Sequence, residues 1–394
     1  MSTTPTTPNT PANALIQPTE SGLYCPPGNF FIDPWRPVDL AIVSHAHADH
    51  ARSGCGAYLT SAEGTAVLQA RLGSSARIES LQYGEQRTIN GVTVSLHPAG
   101  HILGSSQIRV EHHGEVWVFS GDYKTQPDPT CSPFEPVRCH TFITECTFGL
   151  PLYQWRPQSE IMADINAWWR ANQERDRTTA IFAWSLGKAQ RLLAGLDPTI
   201  GPILVHGAVA NMLPAYRAAG VALPPAERAN EENAREGRGR AIVIAPPSAI
   251  GTPWMKKFGD VALAFASGWM AIRGARRWRS LDRGFALSDH VDWPGLLSAI
   301  DATGAQQVGV THGNIDTVVR YLNESGKVTA YAIPTRYKGE TLTDEQPAEA
   351  MPDADAAPEA APASDEPAAS ADDSTPAQDE RWQRRPAAEA DDSP

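Results

Sequence analysis

The sequence predicts an α/β protein in which a strand-rich body is interrupted by a unit of alternating strands and helices. Three observations predict it. Up to about residue 148, short β-branched runs close repeatedly on polar or glycine-containing turns. From about residue 158 the rhythm changes to amphipathic helical stretches alternating with apolar runs. Beyond residue 284, short runs ending on polar residues return.

Taken in order, "DLAIVSH", "VTVSLHPAGH", "QIRV", "EVWVFSGD" and "TFITECTFG" read as strands. "QIRVEHHGEVWVFSGD" is a hairpin with His112, His113 and Gly114 at its turn. "QSEIMADINAWWRANQE" has helical spacing, and "TTAIFAWS" is a strand running into the helix "LGKAQRLLAGL". "PILVHG", "RAIVIAPPS" and "VALAFASGW" are buried strands of the same α/β unit. "RGFALSDH", "QQVGVTHG" and "KVTAYAIP" close the series, and no internal repeat is visible.

The 394 residues suffice for a sizeable core. The net charge of −12 resides in the tail: from Thr341 to Pro394, 15 acidic residues stand against 3 arginines. The body is therefore neutral overall, which leaves room for a local basic groove. The tail, rich in proline, alanine and acid, is expected to be a disordered solvating segment, as are the Thr/Pro-rich residues 1–20. Five scattered cysteines without a C-x-x-C pair argue against a disulfide framework and suit a reducing compartment. No secretory signal or membrane span is legible, so a soluble, cytoplasmic protein is expected, with no membrane partner.

Several strands end on residues able to bind metal or protons: His45, His101, Asp122, Glu145, His290 and His312. Convergent strand ends are where α/β folds place their active sites. The densest such place is "SHAHADH", where His45, His47, Asp49 and His50 follow an apolar strand. Imidazoles mixed with a carboxylate suit zinc and tolerate manganese or iron. Four donors so close together cannot all turn to one point. Two ions are the natural solution, with His101, Asp122 and His312 available to complete them.

"SHAHADH" resembles the signature motif of the metallo-β-lactamase fold superfamily. Asp33 in "FFIDPW" sits where that superfamily has the aspartate that orients the metal loop. His101 in "PAGHILGSSQ" and Asp122 in "FSGDYK" match its later motifs. "TECTFG", "LSDHVDW" and "VTHGN" resemble the extra motifs of the nucleic-acid-cleaving β-CASP branch, with Glu145, His290 and His312 at the matching positions. "LVHGAVANMLPAYRAAGVALP" and "FASGWMAIRGARRWRSLDRGF" are most similar to the bacterial ligase-associated DNA exonucleases.

The resemblance implies an αββα sandwich built from residues 21–156 and 284–340, a β-CASP-type α/β cassette at 157–283, and a disordered tail at 341–394. It implies two divalent metal ions, zinc or manganese. One would be held by His45, His47 and His101, the other by Asp49, His50 and His312, with Asp122 bridging. It further implies an activated hydroxide as nucleophile, with His290, steadied by Glu145, as proton donor to the leaving oxygen. The implied function is a metal-dependent DNA exonuclease in DNA repair, with a functional link to an ATP-dependent DNA ligase.

An RNA-processing nuclease is the alternative, because RNA-processing members of the branch usually carry a histidine where His312 stands. A small-molecule metallo-hydrolase would share the metal loop but has no use for the long insert. A non-catalytic nucleic-acid-binding relative would have lost metal ligands, and none is missing.

Substrate contacts are expected from Arg273, Arg276 and Arg277, with Arg279, Arg283, Trp269 and Trp278 nearby, because guanidinium groups neutralise phosphates and indoles stack on bases. Ser185 and Lys188 in "WSLGKAQR", and Ser267 and Gly268 in "FASGWM", stand where free amides suit an anion. His97, His112, His113 and His140 have no partner motif and read as structural or exposed.

Overall fold

The computed structural model describes residues 14–272, 281–335 and 383–385. The first sheet runs β1 (Gln17–Thr19), β2 (Gly22–Cys25), β3 (Phe30–Ile32), β4 (Leu40–Ile42), β5 (Ala57–Ser61) and β6 (Ile78–Leu81) in chain order, with helix α1 (Thr65–Leu72) connecting the last two. Order begins before the expected boundary at residue 20: Ala14, Leu15 and Ile16 are buried in the core, and β1 pairs with β2.

The second sheet is built from β7 (Gln86–Ile89), β8 (Val92–Pro98), β9 (Ser106–His112), β10 (Glu115–Phe119) and β11 (Thr141–Cys146). The β9–β10 hairpin pairs Glu115 with His112, leaving His113 and Gly114 as a two-residue turn at φ 50° and 80°. Positive φ at both central positions is what a type I′ turn demands.

After β11 the chain leaves this sheet. It forms α2 (Gln158–Gln173), β12 (Thr178–Phe182), α3 (Lys188–Ala194), β13 (Ile203–Val205), α4 (Gly207–Ala210), α5 (Leu213–Ala218), β14 (Glu227–Arg228), α6 (Glu231–Glu236), β15 (Ile242–Ala245), β16 (Val261–Ala266) and β17 (Arg283–Phe285). These six strands make a third sheet in the order β14-β13-β15-β12-β16-β17, parallel throughout. The continuous burial of its central strands β12, β13 and β15 is what a parallel sheet covered on both faces requires.

The chain then returns through α7 (Trp293–Thr303) and β18 (Gln307–Gly313), which pairs parallel with β11, and ends the body with α8 (Ile315–Ser325) and β19 (Thr329–Ala332). Helix α7 is started by Asp292, whose side chain accepts from Gly295 N, and stopped by Gly304 in the left-handed region. Within the expected tail, β20 (Gln383–Arg385) pairs antiparallel with β7.

Ile32, Ile42 and Leu59 of the first sheet meet Val94, Ile108, Val110, Phe119 and Ile143 of the second in one buried cluster. Each such fully buried side chain stabilises the fold by about 1.5–3 kcal/mol. On the outer face of the second sheet, Leu296, Ile300, Val318 and Leu322 from α7 and α8 pack on Phe142, Val308 and Val310. Beyond the first sheet, Val67 and Leu68 of α1 pack with Met212 and Tyr216, so the parallel-sheet unit rests on the sandwich. The layering is helix, sheet, sheet, helix, and it brings the ends of β4, β10, β11 and β18 to one edge. Among the described residues, no helix is long and apolar enough to cross a membrane, and the five cysteines are unpaired.

Candidate metal centre

The loop after β4 is organised by Asp33, which sits at φ 42°, a strained conformation for a non-glycine residue. Its Oδ1 accepts from Ser44 N at 2.7 Å, while its Oδ2 accepts from Ser44 Oγ at 2.5 Å and from His50 Nδ1 at 2.7 Å. Ser44 has spent its only hydroxyl proton, so its Oγ can only accept from His45 Nδ1, 3.0 Å away. That fixes the tautomer of His45, with the lone pair of Nε2 facing the centre.

The other histidines follow the same rule. His47 gives its Nε2 proton to the Leu186 carbonyl at 3.1 Å, and His101 gives its Nδ1 proton to the Asp289 carbonyl at 2.9 Å. Three bare nitrogens therefore face one another: His47 Nδ1 lies 3.0 Å from His45 Nε2 and 3.1 Å from His101 Nε2. Burial and mutual repulsion push His45 and His101 well below 6.5, and burial lowers His47, so no proton settles between them. Three converging lone pairs without a proton call for a cation. Tetrahedral zinc–imidazole bonds of about 2.0–2.1 Å would set such nitrogens about 3.3 Å apart, close to what is observed.

Asp122 is the hub. Gly121, at φ 56°, lets the end of β10 approach so closely that a Cβ there would lie 2.7 Å from the Ser44 Cβ. Asp122 Oδ2 is thereby brought 3.7 Å from His45 Nε2, 3.9 Å from His101 Nε2 and 3.3 Å from His50 Nε2. His50 Nε2 is buried without a hydrogen-bond partner, and Asp49 Oδ2 lies 3.6 Å from it. Against burial, Asp122, Asp49 and Asp33 raise His50 well above 6.5. Burial alone would raise Asp122, but His50 and His290 hold it well below the usual carboxylate range. A dication would replace the proton in this anionic pocket.

Among the described residues, the donors of His45, His47, His101 and Asp122 lie within 4.8 Å of one another, as do those of Asp33, His45 and His50. His312 is brought alongside: its ring stacks on His50 at 5.5 Å and its Nε2 lies 3.3 Å from Thr335 Oγ1. It stands at φ 49° where the β11–β18 register shifts, with Glu145 opposite Thr311 and Cys146 opposite Gly313. His312 is thus the extra residue of a β-bulge, a device that re-aims side chains near active sites.

Glu145 and His290 form a second buried group. His290 Nδ1 lies 2.9 Å from both Glu145 oxygens and 3.9 Å from Asp122 Oδ2. Glu145 also accepts from Tyr123 N at 3.0 Å and Thr147 Oγ1 at 2.5 Å. Against the burial that lowers it, Glu145 and Asp122 raise His290 to about 10. Trp155 Nε1 donates to the His290 carbonyl, and Phe148 packs edge-on to the ring. Burial pushes Glu145 up while His290 pulls it down, and the pair is an imidazole held by a carboxyl group at the rim of the donor cluster.

The residues expected at phosphates are placed differently. Lys188 is fully buried and pairs with Asp289 Oδ1 at 3.1 Å, so its ammonium does not reach solvent. Ser267 is buried and caps a short 3-10 turn, and Gly268 stands where a Cβ would meet the Phe148 ring. Ser185 is half-buried, its carbonyl accepting from Gln190. Arg273, Arg276 and Arg277, with Trp278 and Arg279, lie outside the described residues. The parts the sequence did not single out are the Leu186 and Asp289 carbonyls and the buried Lys124, Asp128 and Arg191 behind them.

No protein-family model matches the chain. It is 32% identical over 315 residues to a probable DNA ligase of Opitutus terrae, covering 79% of this chain and 30% of that protein. It is 30% identical over 125 residues to Endoribonuclease ysh-1 of Neurospora crassa, covering 30% of this chain and 14% of the other. It is 30% identical over 126 residues to cleavage and polyadenylation specificity factor subunit 3 of Dictyostelium discoideum, covering 32% and 16%. The chain thus spans less than a third of each of these relatives. A crystal structure of a protein of unknown function from Enterococcus faecalis shares the fold, with a TM-score of 0.53 at 11% identity over 76% of this chain and 80% of that one. The endoribonuclease relatives, the α/β architecture and the clustered His and Asp donors together fit the metallo-β-lactamase superfamily that the motifs resemble.

Proposed function

We propose that the protein is a metal-dependent phosphodiesterase of the β-CASP branch, with residues 157–283 as its cassette, and that it acts as a DNA exonuclease in DNA repair. The observation that carries this reading is the Glu145–His290 pair beside Asp122, a ready proton source at the edge of a donor cluster. Splitting a phosphodiester expels an alkoxide, which needs such an acid.

In this reading His45, His47, His101 and Asp122 hold one divalent ion, zinc or manganese. Asp49, His50 and His312 would hold a second, with Asp122 serving both. When bound, the ions supply a water of lowered pKa and neutralise charge on the phosphoryl oxygens. The protein's own part is to aim these donors and to deliver a proton. His290 keeps Nδ1 on Glu145, which leaves the Nε2 proton for the leaving oxygen, and Thr147 and Tyr123 N lock the carboxylate in place.

The similarity over 315 residues to a protein named a probable DNA ligase supports DNA as substrate. A functional link to an ATP-dependent DNA ligase belongs to the same proposal. The RNA-processing reading is supported equally well, by the endoribonuclease relatives and by His312. Matched end-labelled DNA and RNA strands, digested in zinc or manganese, separate the two. Stepwise shortening of DNA is expected, and preferential cleavage inside RNA would overturn the DNA assignment.

A further inference from the structure

Helix α3 belongs to the inserted unit and is buried from Lys188 through Leu193. Its polar side chains are the anomaly, since Lys188 and Arg191 are 0% and 1% exposed. Both reach out of the insert to one short stretch, Ser288–His290. Lys188 Nζ pairs with Asp289 Oδ1 at 3.1 Å. Arg191 Nη1 donates to the Ser288 carbonyl at 2.5 Å and Nη2 to the His101 carbonyl at 3.3 Å, while its Nε pairs with Asp128. Lys124, from the strand-end loop that carries Asp122, donates to the same Ser288 carbonyl at 2.7 Å. The Ser288 hydroxyl in turn accepts from His290 N at 3.0 Å.

Burying such charges seldom adds stability, because well-packed apolar residues of similar volume commonly do as well or better. What these charges do determine is where a backbone segment lies. The Asp289 carbonyl sets the tautomer and direction of His101, and the next residue is His290.

We propose that Lys188 and Arg191 are positioning residues, which fix Ser288–Asp289 so that His101 and His290 hold their orientations, and that neither acts on the substrate. The ammonium on Asp289 Oδ1 also occupies the carboxylate that, with His101 and His290, would form a competing donor set. The inference rests on the metal-dependent reading.

The test uses the full chain and measures zinc affinity by competition with a chromogenic chelator, alongside initial rates on an end-labelled strand. Lys188→Met is expected to weaken zinc binding 10- to 100-fold, the range seen when partners of metal-ligating histidines are removed. It should lower kcat about tenfold, with KM unchanged. Adding Asp289→Asn to Lys188→Met should recover part of the lost affinity, since it removes the carboxylate left unpaired. Unchanged zinc affinity with a raised KM would overturn the proposal and make Lys188 a substrate contact. Losses that multiply in the double variant would overturn it as well. If Lys188→Met fails to fold by circular dichroism, Asp289→Asn alone, which keeps volume and carbonyl, must weaken zinc binding, and unchanged affinity overturns the proposal. A wild-type chain that binds no zinc or manganese would instead sink the metal-dependent reading itself.

Discussion

His290 and Glu145 are joined by a symmetric contact, with one imidazole nitrogen 2.9 Å from both oxygens of a carboxylate that lies 145 residues earlier in the chain. The carboxylate holds the ring beside Asp122, with which the two form a buried donor group of their own. His290→Ala should therefore lower kcat by about 10²–10⁴-fold, the usual scale for general acid catalysis, and leave metal content nearly intact. Elemental analysis beside turnover measurements checks this. Loss of both in parallel would move His290 among the metal ligands.

Asp122 stands within 4 Å of three cluster histidines, and His47 supplies the nitrogen between two others. Asp122→Ala and His47→Ala are both expected to abolish hydrolysis and reduce bound metal while circular dichroism stays native. Retained activity in either variant would contradict the assignment.

Asp33 acts at one remove, through Ser44 and His50. Asp33→Asn retains the shape but loses the charge that steadies the His50 proton. Metal affinity should fall about 10- to 100-fold, with little change in the substrate KM. A chelator titration reads the first quantity and a strand titration the second.

Metal removal should also be visible in stability. A ligand that binds only the folded state adds about 2.7 kcal/mol at a hundredfold excess over its Kd. Dialysis against a chelator should lower Tm by several degrees, and zinc should restore it. A Tm indifferent to both would count against the centre.

His97, away from the centre, gives a separate pH signature. Burial, then the nearby Arg109, lowers its pKa to about 4. In the unfolded chain an ordinary histidine titrates near 6.5, so between these values only the unfolded state holds the proton. Stability should therefore fall as pH drops from 6.5 towards 4, with a slope of about 1.4 kcal/mol per pH unit from this group. Denaturant melts of His97→Asn across that range should show the shallower slope.

The donor-rich loop was legible because its donors are local: four of them within six residues behind an apolar strand. The β9–β10 hairpin and the parallel-sheet unit were legible for the same reason, since alternation and turn chemistry are short-range. What escaped reading is of two kinds. The strands at Gln17–Thr19, Gly22–Cys25, Phe30–Ile32, Ala57–Ser61, Ile78–Leu81 and Gln86–Ile89 are short, and register with neighbours defines them more than composition. The acceptors on His47 and His101 are main-chain carbonyls of Leu186 and Asp289, and a carbonyl has no letter in the sequence. Lys188 shows the limit most clearly: a lysine at a strand-to-helix turn reads alike whether its ammonium meets a phosphate or a buried aspartate.

The dependence of His47 on Leu186 and of His101 on Asp289 bears on the order of biogenesis. Translation delivers His45, His47, Asp49, His50, His101 and Asp122 first, yet the groups that aim two of them emerge much later. On the proposed assignment, a nascent chain would carry most of these donors before the groups that orient two of them exist. Under the proposed metal role, correct loading would wait until Leu186 and Asp289 are in place to aim His47 and His101.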